Sequence, residues 1–329
     1  MLNPFLINQY ISPAYFCDRD QETTDLIDAL KSGRSVTIHS IRRMGKTALI
    51  KHVYHKLSRN KDFVLIYLDI LDISTAKEFI NILSSKIITS LEKSREGFIR
   101  KVTKYFGKYR PVFSIDSLTG SPSVSLDIRN ESDIKVGLET IFTFINEQPK
   151  TFVIAIDEFQ QVNNFEVKTI PASLRKHLQS TRKLVFIFSG SQRNMLLELM
   201  TSPKQALYRS TQIMSLSRIP QEIYAKFIAN QFSKNNKIIV DELIYDSITW
   251  TMNHTYYTQF YFHRLFSECQ KSVDELLIHK LKTKILQENE ITFLNYKNLM
   301  SKAQWKLLSA IGKEGVVREP TSKIFLQKY

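Results

Sequence analysis

The chain has 329 residues, 43% hydrophobic and 24% charged, the balance of a soluble globular protein with room for two or three domains. No apolar run approaches membrane-span length, the N-terminus lacks a signal peptide's basic start and apolar core, and Cys17 and Cys269 alone make no disulfide framework or metal-ligand cluster; a reduced, cytoplasmic setting without a membrane is expected. A net charge of +14 suits anionic partners (nucleic acid, nucleotide or an acidic protein) and equally suits the solubility charge of a Lys-rich surface.

Residues up to about 13 read as a lead-in. Residues 20–30 carry helical apolar spacing and stop near Gly33. The stretch Ser35-Val-Thr-Ile-His-Ser40-Ile-Arg-Arg-Met-Gly45-Lys46-Thr47 reads as a short β-branched strand, a tight loop and the start of a helix over 45–57. That is the layout of a phosphate-binding P-loop, whose backbone N–H groups and helix N-terminus attract an anion. Lys46 would reach the β- and γ-phosphates, and Thr47 would offer its hydroxyl to Mg²⁺. Ser40 stands where the pattern G-x-x-x-x-G-K-[ST] has its first Gly, which predicts a less permissive turn.

Residues 63–69 form a second apolar strand with an acidic end, and residues 74–91 a helix with Ser74 as its N-cap. Residues 93–110 are dense in Lys and Arg, from Lys93 to Arg110, with Phe98, Tyr105, Phe106 and Tyr109 between them. Such a pattern can bind nucleic acid; the near-helical recurrence of the aromatics favours an amphipathic helix that packs them inward. Residues 112–128 alternate around Thr119-Gly120-Ser121-Pro122 and predict an inserted β-hairpin near 110–130.

A helix over 133–146 leads to Thr151-Phe-Val-Ile-Ala-Ile-Asp157-Glu158, an apolar run ending in two carboxylates. It reads as a central strand of a parallel sheet, with its acids where open α/β sheets bind ligands. Asp157 would hold Mg²⁺ and Glu158 would polarise the attacking water. Helix over 171–181 and strand over 184–189 continue the alternation of a parallel α/β fold. After about residue 220 the strands stop, and residues 221–232, 241–251 and 257–270 read as helices. His177, on a Lys/Arg-rich helix, reads as a surface residue, His52 and His55 as structural, and Trp250 and Trp305 as core fillers.

These segments together resemble the archaeal-type ATPase family of prokaryotes, in the signal-transduction branch of the AAA+-like P-loop proteins, and in particular the group common in Bacteroidetes-type bacteria. Tyr15-Phe16-Cys17-Asp18-Arg19-Asp20-Gln21-Glu22 is similar to the family's aromatic-x-x-Arg-x-x-Glu box on the adenine side, which implicates Phe16 and Arg19. Ser40-Ile-Arg-Arg-Met-Gly-Lys-Thr47 is similar to its Pro-Arg-Arg-x-Gly-Lys-Thr loop, in which that group often has Ser for the first Gly. Asp157-Glu158-Phe159-Gln160 matches its acidic box, and Ser189-Gly190-Ser191-Gln192 its strand-end segment that senses the γ-phosphate. Leu207-Tyr208-Arg209-Ser210 resembles the segment that places an Arg near the phosphates, without the Gly common before it, and Asn253-His254-Thr255-Tyr256-Tyr257-Thr258-Gln259 resembles a Gly-His-Pro-Tyr-Tyr-x-Gln motif of the lid, with Gly and Pro replaced.

The resemblance implies a P-loop NTPase parallel sheet with helices on both faces over 1–218, a helical lid over 219–290 and an incomplete winged helix over 291–329. Residues 302–311 and 321–329 look like that domain's first two helices, split by Gly312 and Gly315, while its third helix and wing are not in the sequence. Ser40, Arg42, Arg43, Met44, Gly45, Lys46, Thr47 and Ala48 would surround the nucleotide, with Arg42 and Arg43 reading equally as solvated loop charge. Lys46, Glu158 and Arg209 would serve hydrolysis, Arg209 from the same chain or a neighbour, and Ser191 or Gln192 would report the γ-phosphate. The expected activity is ATP hydrolysis with Mg²⁺ in a conformational switch signalling to a protein partner. A DNA-associated ATPase and a non-hydrolysing nucleotide-binding scaffold are the alternatives. No Asn/Thr-Lys-x-Asp segment is present to read guanine.

Overall fold

The computed structural model describes residues 2–7, 9–91, 95–115, 120, 122–315 and 317–329. The chain runs α1 (Asp20–Lys31), β1 (Val36–His39), α2 (Lys46–Leu57), β2 (Phe63–Asp69), α3 (Ala76–Leu91), α4 (Arg95–Phe106), β3 (Val112–Ile115), β4 (Pro122–Ser125), α5 (Glu131–Asn146), β5 (Thr151–Asp157), α6 (Ile170–Ser180), β6 (Leu184–Gly190), α7 (Arg193–Thr201) and β7 (Gln212–Ser215). Helices follow as α8 (Gln221–Lys234), α9 (Asp241–Trp250), α10 (Thr255–Glu268), α11 (Glu275–Glu288), α12 (Glu290–Leu299), α13 (Lys302–Glu314) and α14 (Lys323–Lys328).

The main sheet has order β2-β5-β6-β1-β7 with every pairing parallel. Alternate residues of its central strands feed two different cores. Phe152, Ile154, Ile156, Phe186 and Phe188 pack with α3, α5, α6 and α7 on one face. Val153, Ala155, Val185 and Ile187 meet α1 and α2 on the other. Both faces are covered, which is why β5 and β6 read as unbroken apolar runs. All strands point the same way, so their carboxyl ends and the loops that follow gather on one edge, where the site lies.

β7 is a fifth strand that the sequence does not announce. It is a four-residue edge strand with a single buried side chain, Met214, so it has no apolar run. Helix α3 is capped one residue later than expected: Thr75 Oγ1 accepts from Glu78 N while Glu78 Oε2 accepts from Thr75 N, a reciprocal box that displaces Ser74 from the cap. Phe98, Val102 and Phe106 of α4 are buried, so its aromatic face packs inward. β3 and β4 form a separate antiparallel pair; the turn expected at Thr119 to Pro122 falls partly, and Lys93 wholly, outside the described residues. His177 is buried rather than on the surface, its ring 4.1 Å from that of Phe142. α13 runs through Gly312 and ends at Gly315, whose φ is +77°.

Helices α8 to α11 share a core of their own around Tyr224, Phe232, Tyr261 and Phe262. Phe5 sits inside that core, fully buried, so the lead-in is packed into the helical unit at this residue. Among the described residues no helix is long and apolar enough to cross a membrane.

Candidate active site

The loop between β1 and α2 takes its sharpest turns at Arg43 (φ +64°) and Gly45 (φ +93°). Ser40 is outside the left-handed region, so a glycine is not required there and the departure from the usual pattern costs the loop no strain. Instead Ser40 is buried, its Oγ donating to Ile41 O at 2.8 Å and accepting from Lys46 Nζ at 3.1 Å. Lys46 is buried too, and burial lowers its pKa against the opposing pull of Asp157 and Glu158. A cation held out of water beside loop N–H groups is suited to an anion, which would restore the interactions that burial removes.

Asp157 ends β5 beside Asp69, its register partner at the end of β2. Its carboxylate accepts four hydrogen bonds. Oδ2 takes Thr47 Oγ1 at 2.6 Å and Tyr67 OH at 2.8 Å; Oδ1 takes Ser189 Oγ at 2.6 Å and Glu158 N at 3.1 Å. Four donors fix this buried carboxylate in a defined orientation. Burial, and then the Asp157 charge, push the Tyr67 phenol up, keeping it a donor. Burial also raises the Asp69 carboxyl, with Leu71 N opposing and Asp157 and Glu158 adding to the rise. Glu158, in a left-handed conformation at φ +56°, turns toward the end of β6, where Ser191 N and Oγ donate to Oε2 at 3.0 and 2.9 Å.

These groups border a cavity of about 520 Å³. Phe16, Arg19, Arg42, Arg43, Met44, Gly45, Lys46, Thr47, Ala48, Asp157, Glu158 and Ser191 all line it. Ser40 lies behind the lining, bound to Lys46. Gln192 occupies the N-cap position of α7, without a side-chain cap bond and outside the cavity, and Arg209 is exposed with its guanidinium 5.2 Å from the Tyr208 ring centroid. The chain does not bring either into its own cavity.

Several lining residues carried no signal in the sequence. Tyr10 reaches the cavity from the N-terminal segment, its hydroxyl 3.0 Å from His52 Nδ1, and Phe16 stacks on the His52 ring at 4.2 Å. Arg19 is held by Glu22 at 2.8 Å and by Ser217 O at 2.5 Å, which ties this segment to the connection between β7 and α8. Tyr256 of α10 closes another side, with the Arg43 guanidinium 4.3 Å from its ring centroid. The aromatic-x-x-Arg-x-x-Glu box and the lid segment Asn253 to Gln259 were sequence cues, the second without a cavity role for Tyr256; Tyr10 arrives by tertiary placement.

The Thr47 hydroxyl and the Asp157 carboxylate are hard oxygen donors on one wall of the cavity, the donor type that suits Mg²⁺. Among the described residues no group of three or more His, Cys, Asp or Glu is placed to cage an ion. Two protein donors with the rest of the shell from phosphate and water is the usual Mg²⁺ arrangement in nucleotide sites.

A family described as an ATPase domain predominantly from Archaea matches residues 16–248, and one described as a probable winged helix domain matches residues 291–329. Comparison with curated protein sequences yields no significant match. Among solved structures, the chain is similar to the Walker-type ATPase PABY2304 of Pyrococcus abyssi, with 16% identity, 98% of this chain and 92% of that chain covered, and a TM-score of 0.64. It is also similar to the Aeropyrum pernix ORC1 protein in complex with DNA (9% identity, 92% and 73% covered, TM-score 0.56) and to Drosophila ORC bound to DNA (13% identity, 94% and 70% covered, TM-score 0.55). At these identities the likeness is one of fold.

Proposed function

The chain belongs to the family of ATPase domains found predominantly in Archaea, and from that premise we propose that it binds ATP with Mg²⁺ in the cavity at the strand ends, hydrolyses it, and passes the change to the helices that cover the site. The observation that carries this reading is the convergence of Lys46, Thr47, Asp157 and Glu158 on one cavity from two separate strand ends. Residues 1–218 are the proposed catalytic core, 219–290 the lid and 291–329 a winged-helix region.

Phosphoryl transfer asks for positioning and charge neutralisation more than for covalent chemistry by the protein. Lys46 offsets charge on the β- and γ-phosphates, and the loop amides up to Ala48 cradle them. Thr47 and Asp157 are the residues that would hold Mg²⁺, which when bound supplies further positive charge beside the phosphates. Glu158 orients the attacking water by accepting its hydrogen bond. Ser191, bound to Glu158 and facing the cavity, reports the γ-phosphate. Phe16 borders the base, and Arg19 supports the wall it stands on. Arg43 and Tyr256 link the phosphate loop to the lid, which supports a switch whose output is lid position.

A second reading, ATP hydrolysis in association with DNA, is favoured by the winged-helix match and by the net charge of +14. Steady-state ATP hydrolysis with Mg²⁺, with and without duplex DNA, tests both for wild type, Lys46→Ala and Glu158→Gln. Turnover lost in both variants supports the site. DNA stimulation that falls with salt supports the second reading. Tight ATP binding that needs Lys46, with no turnover, would turn the reading toward a scaffold.

A further inference from the structure

Gln160 has no part in the mechanism above, yet it is only 2% exposed and lies directly beside Glu158. It sits in the short 3-10 turn Phe159–Asn164, which is anchored by Phe159 against Phe188 at 4.3 Å. Its Nε2 donates to Glu158 Oε2 at 2.6 Å, the same oxygen that takes both donors of Ser191. Its Oε1 is buried without a hydrogen-bond partner among the described residues. With the amide reversed, its oxygen would face Glu158 Oε2, already the acceptor of Ser191, at that short distance, so this acceptor sets the orientation. An amide that leaves one buried end unpaired is a poor packing element; an apolar side chain of the same shape would avoid that cost.

Gly190 makes room for this amide. A Cβ there would fall 2.0 Å from Gln160 Oε1 and 3.1 Å from its Cδ. The backbone at Gly190 is ordinary strand and not left-handed, so its glycine answers to space and not to conformation.

We propose that Gln160, seated in the gap at Gly190, is a positioning residue that aims the Glu158 carboxylate. This rests on the reading that Glu158 orients the attacking water. Three donors on Oε2 pin one edge of the carboxylate to the end of β6, leaving Oε1 to accept from water in a set direction.

The test is kcat, KM for ATP and ADP affinity in the full chain for Gln160→Ala, Gln160→Met, Gly190→Ala and Glu158→Gln, singly and in pairs. Gln160→Met keeps the volume without the donor. The expected result for both Gln160 variants is a fall in kcat of about ten- to a hundredfold, the scale of a lost hydrogen bond to a charge, with KM and ADP affinity unchanged. ADP affinity also certifies the fold. Gly190→Ala lowers kcat in the wild-type background and adds nothing to Gln160→Ala, and Gln160→Ala adds nothing to Glu158→Gln. Full kcat in Gln160→Met with Glu158→Gln inactive overturns the positioning role and leaves the Glu158 reading standing. Wild-type turnover in Glu158→Gln overturns both.

Discussion

Thr47 Oγ1 donates to Asp157 Oδ2 at 2.6 Å, joining the first turn of α2 to the end of β5. These two residues are 110 positions apart, and the hydrogen bond couples the phosphate loop to the acidic strand end. The same two oxygens are the proposed Mg²⁺ donors. Thr47→Ala should therefore leave metal-free ADP affinity unchanged and remove most of the gain that Mg²⁺ confers, while Thr47→Ser should keep it. Titration calorimetry with Mg²⁺ and with a chelator checks this. A full Mg²⁺ gain in Thr47→Ala would remove the hydroxyl from the metal site.

Acid should destabilise the fold through its buried histidines. Burial, with Lys56 and His55 adding to it, lowers the His52 pKa from 6.5 to about 4. Burial also lowers His39, His177 and His254. The sign follows from proton linkage: below 6.5 the unfolded chain takes up a proton that the folded chain refuses, so stability falls as pH drops from 6.5 towards 4. The His52 ring meets the Tyr10 hydroxyl through Nδ1 at 3.0 Å and stacks on Phe16, so a proton on it enters a packed setting. Melting temperature followed from pH 7 to pH 4 should drop less in His52→Phe than in wild type. Equal drops would show that His52 is not the group responsible.

The phosphate loop and the lid meet at Arg43 and Tyr256, with the cation 4.3 Å from the ring centroid. Such a contact contributes about 0.5–1 kcal/mol where it is open to water. Tyr256→Ala should quicken ADP release by about two- to fivefold on that scale, and raise hydrogen exchange in the first turn of α10. Tyr256→Phe should behave as wild type, because the ring face is kept. Unchanged release in Tyr256→Ala would mean that the lid does not bear on the nucleotide through this contact.

The parts of the site that were legible share a physical cause. β5 and β6 are buried on both faces, so their sequences are unbroken apolar runs and their polar ends stand out. Gly45 announces the loop because its φ of +93° suits glycine. What was not legible depends on tertiary placement. Tyr10 reaches the cavity from a segment with no motif, and Asp69 and Tyr256, noted only as an acidic strand end and as part of a lid motif, gain their place in the cavity from distant segments. β7 borrows its hydrogen bonds from β1 and shows too little apolar surface to be seen. His177 follows lysine and arginine on its helix, yet faces Phe142. Arg209, read from a local resemblance, lies exposed and away from the cavity of its own chain.

Phe5 shows how far the N-terminal segment contributes to both the lid and the site. It is fully buried, with ring centroids of Phe227, Phe232, Phe262 and Phe266 between 5.7 and 6.2 Å away. Asn3 Nδ2 donates to His263 O at 2.7 Å, and His263 Nδ1 donates to Phe5 O at 2.8 Å, so the segment is bonded to α10 on both sides of the ring. The next residues, Leu6 and Ile7, line the cavity. Phe5→Ala should cost about 3–5 kcal/mol of stability, the usual loss for truncating a buried phenylalanine. It should also weaken ADP binding by loosening the wall that Leu6 and Ile7 form. Denaturant unfolding gives the first quantity and calorimetric titration the second. Phe5→Leu, which keeps most of the buried volume, should recover most of both. A loss below about 1 kcal/mol in Phe5→Ala, the range of a surface substitution, would show that the segment only rests on the lid and does not hold it.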